Sequence, residues 1–211
     1  MTFILIYNFL ALPVLFSQDR GPSHFYHPGT VLESQQMQSR ILNEEVHYSI
    51  YLPPGYQQSD RRYPVVYLLH GYSDDETAWI QFGEVNQSAD RGIASRKIPP
   101  MIVVMPSAKV TWYINDHAGK NRYEDMFFDE LIPFIDQTYR TRPQKEFRAV
   151  SGLSMGGYGS LIYALHRPDM FSVCVAYSAA IYTEEYIAGM DPARYDRVFK
   201  DIYGPGEGEA R

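Results

Sequence analysis

Phe147-Arg148-Ala149-Val150-Ser151-Gly152-Leu153-Ser154-Met155-Gly156-Gly157-Tyr158 sets a serine between two glycines where one kind of periodicity gives way to another. Residues 147–150 have strand character. Past the serine, Met155, Tyr158, Leu161, Ile162 and Leu165 recur at spacings of three and four, the mark of a helix with one apolar face. A turn from strand to helix this sharp leaves no room for flanking side chains, so Gly152 and Gly156 stand where a Cβ does not fit. Ser154 then sits at a helix N-terminus, where free N–H groups and the helix dipole favour a developing negative charge. A serine in a glycine-flanked turn can also be ordinary; the strand before it and the helix after it make Ser154 a candidate nucleophile.

A second motif lies upstream. The unbroken apolar run Pro64-Val65-Val66-Tyr67-Leu68-Leu69 ends in His70-Gly71-Tyr72. Such a run, closed by a glycine turn, predicts a parallel strand buried on both faces. The loop after it offers backbone amides, with that of Tyr72 the candidate oxyanion donor alongside the amide of Met155, the residue after the serine. The His70 side chain is expected to end the strand against nearby backbone.

With both motifs in view, the chain resembles the esterase family of α/β-hydrolases that includes feruloyl and acetyl-xylan esterases, S-formylglutathione hydrolase and the antigen 85 proteins. The resemblance runs from about residue 29 onward. It is carried by Tyr48-Ser49-Ile50-Tyr51-Leu52-Pro53-Pro54-Gly55-Tyr56, Leu69-His70-Gly71, Trp112-Tyr113 and Gly152-Leu153-Ser154-Met155-Gly156-Gly157. The His-Gly-Tyr form looks closer to the secreted feruloyl-type branch. The resemblance implies an α/β-hydrolase fold, a doubly wound, mostly parallel sheet flanked by helices. It also implies Ser154 as nucleophile and the amides of Tyr72 and Met155 as the oxyanion hole. In this fold the triad runs Ser, then Asp or Glu, then His. The last histidine here is His166, on the helix that follows the serine, and none of Asp169, Asp191, Asp196 or Asp201 follows an apolar run of the expected kind. The last strands of the fold, with the triad acid and base, are therefore expected to be missing. His117 adjoins Asp116 but lies upstream, and is read as a loop histidine.

Composition narrows the alternatives. The 211 residues suffice for a single α/β core, and their net charge of −6 offers no basic stripe for a nucleic-acid partner. The one cysteine, Cys174, excludes an internal disulfide and is read as a small core residue of a buried strand over 171–177. The six histidines show no metal-ligand spacing, so neither a metal nor a cofactor is expected. Residues 3–16 are almost wholly apolar and too short for a spanning helix. Residues 1–17 accordingly read as a signal peptide and 18–211 as an incomplete esterase domain, exported and without a membrane span.

The remaining elements follow from punctuation and period. Alternation over 46–52 predicts a half-buried strand paired with one over 31–38. Residues 84–96 are read as a helix, 101–105 as a buried strand, and 124–139 as a helix that Pro133 must interrupt. His70, Trp112 and Tyr113 are candidates for a substrate pocket, with packing as the competing role. The reading is a serine carboxylic-ester hydrolase acting on acyl or feruloyl esters of plant polysaccharide. The alternatives are an acyltransferase on the same scaffold and a non-catalytic binding protein or inactive fragment. A small-molecule or carbohydrate ester is the expected partner; acyl group, alcohol and oligomeric state are not specified.

Overall fold

The structure, a computed structural model, describes residues 27–205; the segment 1–17, read from the sequence as a signal peptide, lies outside the described residues. Six strands form one sheet: β1 (Thr30–Gln38), β2 (Glu45–Leu52), β3 (Val65–Leu69), β4 (Ile102–Pro106), β5 (Arg148–Leu153) and β6 (Val173–Tyr177), in the order β1-β2-β4-β3-β5-β6. β2 runs antiparallel to both β1 and β4, and β4, β3, β5 and β6 are mutually parallel. The helices are α1 (Ala78–Gln81), α2 (Val85–Ala94), α3 (Tyr123–Met126), α4 (Ile132–Thr138), α5 (Met155–His166), α6 (Glu184–Ala188), α7 (Pro192–Val198) and α8 (Lys200–Tyr203).

Alternation along the central strands divides the core between two faces. Tyr67, Leu69, Val104 and Val150 point to a large cluster with Phe127, Leu131, Ile135, Met155 and Tyr163, under α4 and α5. Leu68, Val103 and Met105 point the other way, to a smaller cluster with Tyr51 and Ala89 of α2. Beyond α2 this second face opens into a groove of about 1030 Å³ lined in part by Val66, Leu68, Val173 and Val175.

Two expectations change form. The helix read over 124–139 is three pieces, α3, a π turn (Phe127–Leu131) and α4. The break falls where it does because Pro133 has no N–H. At the first turn of α4 it needs none, and the wider turn before it absorbs the change of register. The buried strand over 171–177 is shorter and more open: Val173, Val175 and Tyr177 are 50%, 39% and 53% exposed. Among the described residues β6 pairs only with β5, and nothing covers its valine face. Cys174, on the opposite face, is half-buried, with its Sγ 3.3 Å from the Ser160 carbonyl.

Candidate active site

β5 ends and α5 begins within two residues, and Ser154 lies at the junction with φ 56° and ψ −113°. Positive φ in a serine costs on the order of 1–3 kcal/mol and persists only where neighbours hold it. Here both backbone groups are held. The Ser154 N–H donates to the Tyr177 carbonyl at 2.9 Å, and its own carbonyl accepts from the amides of Tyr158 and Ala180, each at 3.0 Å. The flanking glycines are required by close approach: a Cβ on Gly156 would run into the carbonyl oxygens of Leu69 and His70, and one on Gly152 into the carbonyl of Gly156.

The loop after β3 reaches the same point. A Cβ at Gly71 would lie 4.0 Å from the Cβ of Ser154, so the Tyr72 peptide follows directly beside the serine. Neither the Tyr72 amide nor the Met155 amide donates to a protein acceptor among the described residues. Two free N–H groups, one at the start of α5, thus flank a half-buried serine hydroxyl, an arrangement able to hold an oxyanion.

His70 is 1% exposed. Its Nε2 accepts from the Ala108 amide at 2.9 Å, which puts the ring proton on Nδ1, donated to the Gly71 carbonyl at 2.7 Å. Burial holds its pKa below the usual histidine value, so the ring is neutral and serves as a brace between the loops after β3 and β4. Trp112 and Tyr113, at consecutive positive φ of 56° and 63°, are 2% and 0% exposed. The Tyr113 hydroxyl donates to the His70 carbonyl at 3.0 Å, and the Trp112 ring packs on Phe199, Tyr158 and Tyr72. All three are therefore packed into the wall beneath the loops after β3 and β4: His70 and Tyr113 spend their polar atoms on backbone partners, while Trp112 is held by ring contacts and its buried indole N–H has no hydrogen-bond partner among the described residues.

No imidazole among the described residues is hydrogen-bonded to Ser154. His166, twelve residues along the helix and so about 18 Å away, bonds Glu124 at 2.7 Å. His117 packs its ring against Gly204, while the Asp116 carboxylate accepts the amides of Lys120 and Asn121 at 2.8 and 3.0 Å instead of pairing with it. Asp191 caps α7, Asp196 pairs with Lys200 at 3.4 Å, and Asp169 lies 3.6 Å from Arg167.

Two cavities near the serine were not visible in the sequence. One, of about 280 Å³, is lined by Tyr158, Ala180, Tyr182, Ile187, Phe199 and Tyr203 among others. Ala180 is the residue whose amide holds the Ser154 carbonyl. The signal was there in Tyr195, Phe199 and Tyr203, spaced by four, but it reads equally as helix packing. The second, a cleft of about 610 Å³, lies between the loop 109–121 and α7–α8 and is walled by Tyr72.

A parallel sheet with an antiparallel start, and a serine at the elbow between β5 and α5, is the α/β-hydrolase fold. A solved ferulic acid esterase superposes with a TM-score of 0.70 at 33% identity, over 76% of this chain and 65% of its own. The chain belongs to the esterase family, whose model, described as "Putative esterase", matches residues 39–205. An endo-1,4-beta-xylanase/feruloyl esterase of Xylanibacter ruminicola is 37% identical over 70% of this chain, and an esterase of Mycobacterium tuberculosis 36% identical over 62%. The aligned stretches span only 21% and 28% of those two proteins. Among the described residues no helix is long and apolar enough to cross a membrane.

Proposed function

We propose that this chain carries the nucleophile and oxyanion hole of a serine carboxylic-ester hydrolase. The observation that carries the reading is the strained, doubly clamped Ser154 beside two unspent amides. The Ser154 Oγ attacks the ester carbonyl, and the amides of Tyr72 and Met155 take the charge that develops on its oxygen. The Oγ–H bond is lost, the Oγ–acyl bond forms, and the alcohol leaves with the proton. Water then repeats the exchange to release the acid. Proton transfer calls for a general base, and no imidazole among the described residues is hydrogen-bonded to Ser154, so the 211-residue chain by itself is expected to be a feeble catalyst.

The aromatic cavity beside Ala180 supports a planar acyl group such as feruloyl, since flat rings pack offset or edge-on against Tyr182 and Phe199. Plant polysaccharide as the alcohol and export as the destination rest on the feruloyl-esterase relatives and on the apolar segment 3–16. An acyltransferase would use the same acyl-enzyme with a sugar hydroxyl in place of water. Treatment with a fluorophosphonate followed by mass spectrometry tests the assignment: the adduct is expected on Ser154, and an adduct on any other residue sinks it.

A further inference from the structure

The 610 Å³ cleft walled by Tyr72 differs from the rest of the molecule in charge. The chain as a whole carries −6, yet four cations, Lys109, Lys120, Arg197 and Lys200, line this cleft against two carboxylates, Asp116 and Asp201. The partners of these groups decide which charges are spent. Lys109 is paired with Glu44 at 2.9 Å and Lys200 with Asp196 at 3.4 Å. Asp116 holds the loop closed through the amides of Lys120 and Asn121. Lys120 and Arg197, both exposed, have no acidic partner among the described residues, and they stand on opposite walls, one on the loop and one on α7. The two walls meet where the His117 ring packs on Gly204, whose carbonyl accepts from the Tyr195 hydroxyl at 3.1 Å. Among the described residues the Asp201 carboxylate, on α8, is the one opposing charge left in the cleft.

We infer that this cleft is the subsite for the alcohol half of the ester, and that it takes a sugar bearing a carboxylate, a uronosyl residue, held between Lys120 and Arg197. The inference rests on the reading of Ser154 as nucleophile, which sets the aromatic cavity against Ala180 as the acyl side and leaves the cleft beside the Tyr72 peptide for the other half. A carboxylate between two unpaired cations forms charge-assisted hydrogen bonds, bidentate at Arg197. A neutral xylan chain gains nothing from them.

Calorimetric titration of the 211-residue chain with 4-O-methylglucuronosyl-xylotriose, xylotetraose and inorganic phosphate tests this without needing turnover. The acidic oligosaccharide is expected to bind more tightly than xylotetraose. Combined Lys120→Gln and Arg197→Gln substitutions should lower its affinity about tenfold, and Asp201→Asn should raise it. Equal binding of the two oligosaccharides, no binding of either, or unchanged affinity in the double variant overturns the subsite. Displacement of the acidic oligosaccharide by an equal concentration of phosphate would mark a general anion site and overturn the uronosyl assignment. Fluorophosphonate labelling of the unsubstituted chain reports on Ser154 separately, so either reading can fail alone.

Discussion

Under α4 and α5 the sheet is closed: Tyr67, Leu69, Val104 and Val150 each show 1% or less of their surface. On the α2 side the cover stops short, and Val173 and Val175 line an open groove. The elbow belongs to the closed face, since Met155 is buried in that cluster and Gly156 touches the backbone at the end of β3. The turn that carries Ser154 is thus packed on the closed face, with one restraint, the Tyr177 carbonyl, reaching it from the end of β6. On the proposed reading the difference also separates chemistry from association, one face holding the candidate nucleophile and the other an apolar surface of the kind that binds another chain.

The largest effect expected is at the serine. Ser154→Ala should abolish fluorophosphonate labelling while leaving the circular-dichroism spectrum unchanged; residual labelling elsewhere would move the nucleophile off the closed face. Next comes turnover. With no imidazole among the described residues bonded to Ser154, p-nitrophenyl acetate hydrolysis should run several orders of magnitude below the roughly 10 per second common for enzymes. A rate near 1 per second or above would show another base at work, and loss of that rate in His117→Ala would identify it.

Third, Gly156→Ala drives a methyl into two backbone carbonyls and should cost about 3 kcal/mol or more, read as a lowered urea midpoint. A neutral result would mean the closed face is softer than its packing indicates. Fourth, residues 18–211 should dimerise or aggregate through β6. Val173→Lys or Val175→Lys, which put a charge on its open face, should shift light scattering towards monomer; a monomeric parent would remove the contrast between the faces. The smallest effect concerns His70. Its folded pKa lies below the unfolded value of about 6.5, so the unfolded chain takes up the proton first. Stability is therefore full above that pH and declines as the solution is acidified through it. His70→Gln should flatten that decline, and an unaltered pH profile would mean the ring is not held neutral by burial.

Much of this was legible because a few residues have a single reading. Gly152 and Gly156 admit one turn, and the apolar run 64–69 one kind of strand, so the elbow and the loop after β3 followed from local sequence. Pro133 announced an interruption but not its form, since a kink, a break and a π turn all satisfy a missing N–H. Trp112 and Tyr113 looked like pocket walls because aromatic rings in a loop read alike whether they face solvent or core, and their positive φ is set by tertiary contacts. The run over 171–177 reads as a buried strand by its apolar composition, which does not say how many neighbours it has; its place at an open edge follows only from the expectation that the next strand is missing. The helices α6 to α8, and with them both cavities, escaped because each is seven residues or fewer, too short for periodicity to register.

The hydrogen bond from the Ser154 amide to the Tyr177 carbonyl joins the proposed nucleophile's own peptide to the last residue of the open strand. Any fraying at that end of β6 removes one of the restraints that hold the serine at positive φ, so the reagent that reports on chemistry also works as a strain gauge for the sheet's edge. Labelling of Ser154 should slow in step with hydrogen exchange of the β6 amides as denaturant rises, well before the strands under α5 begin to open.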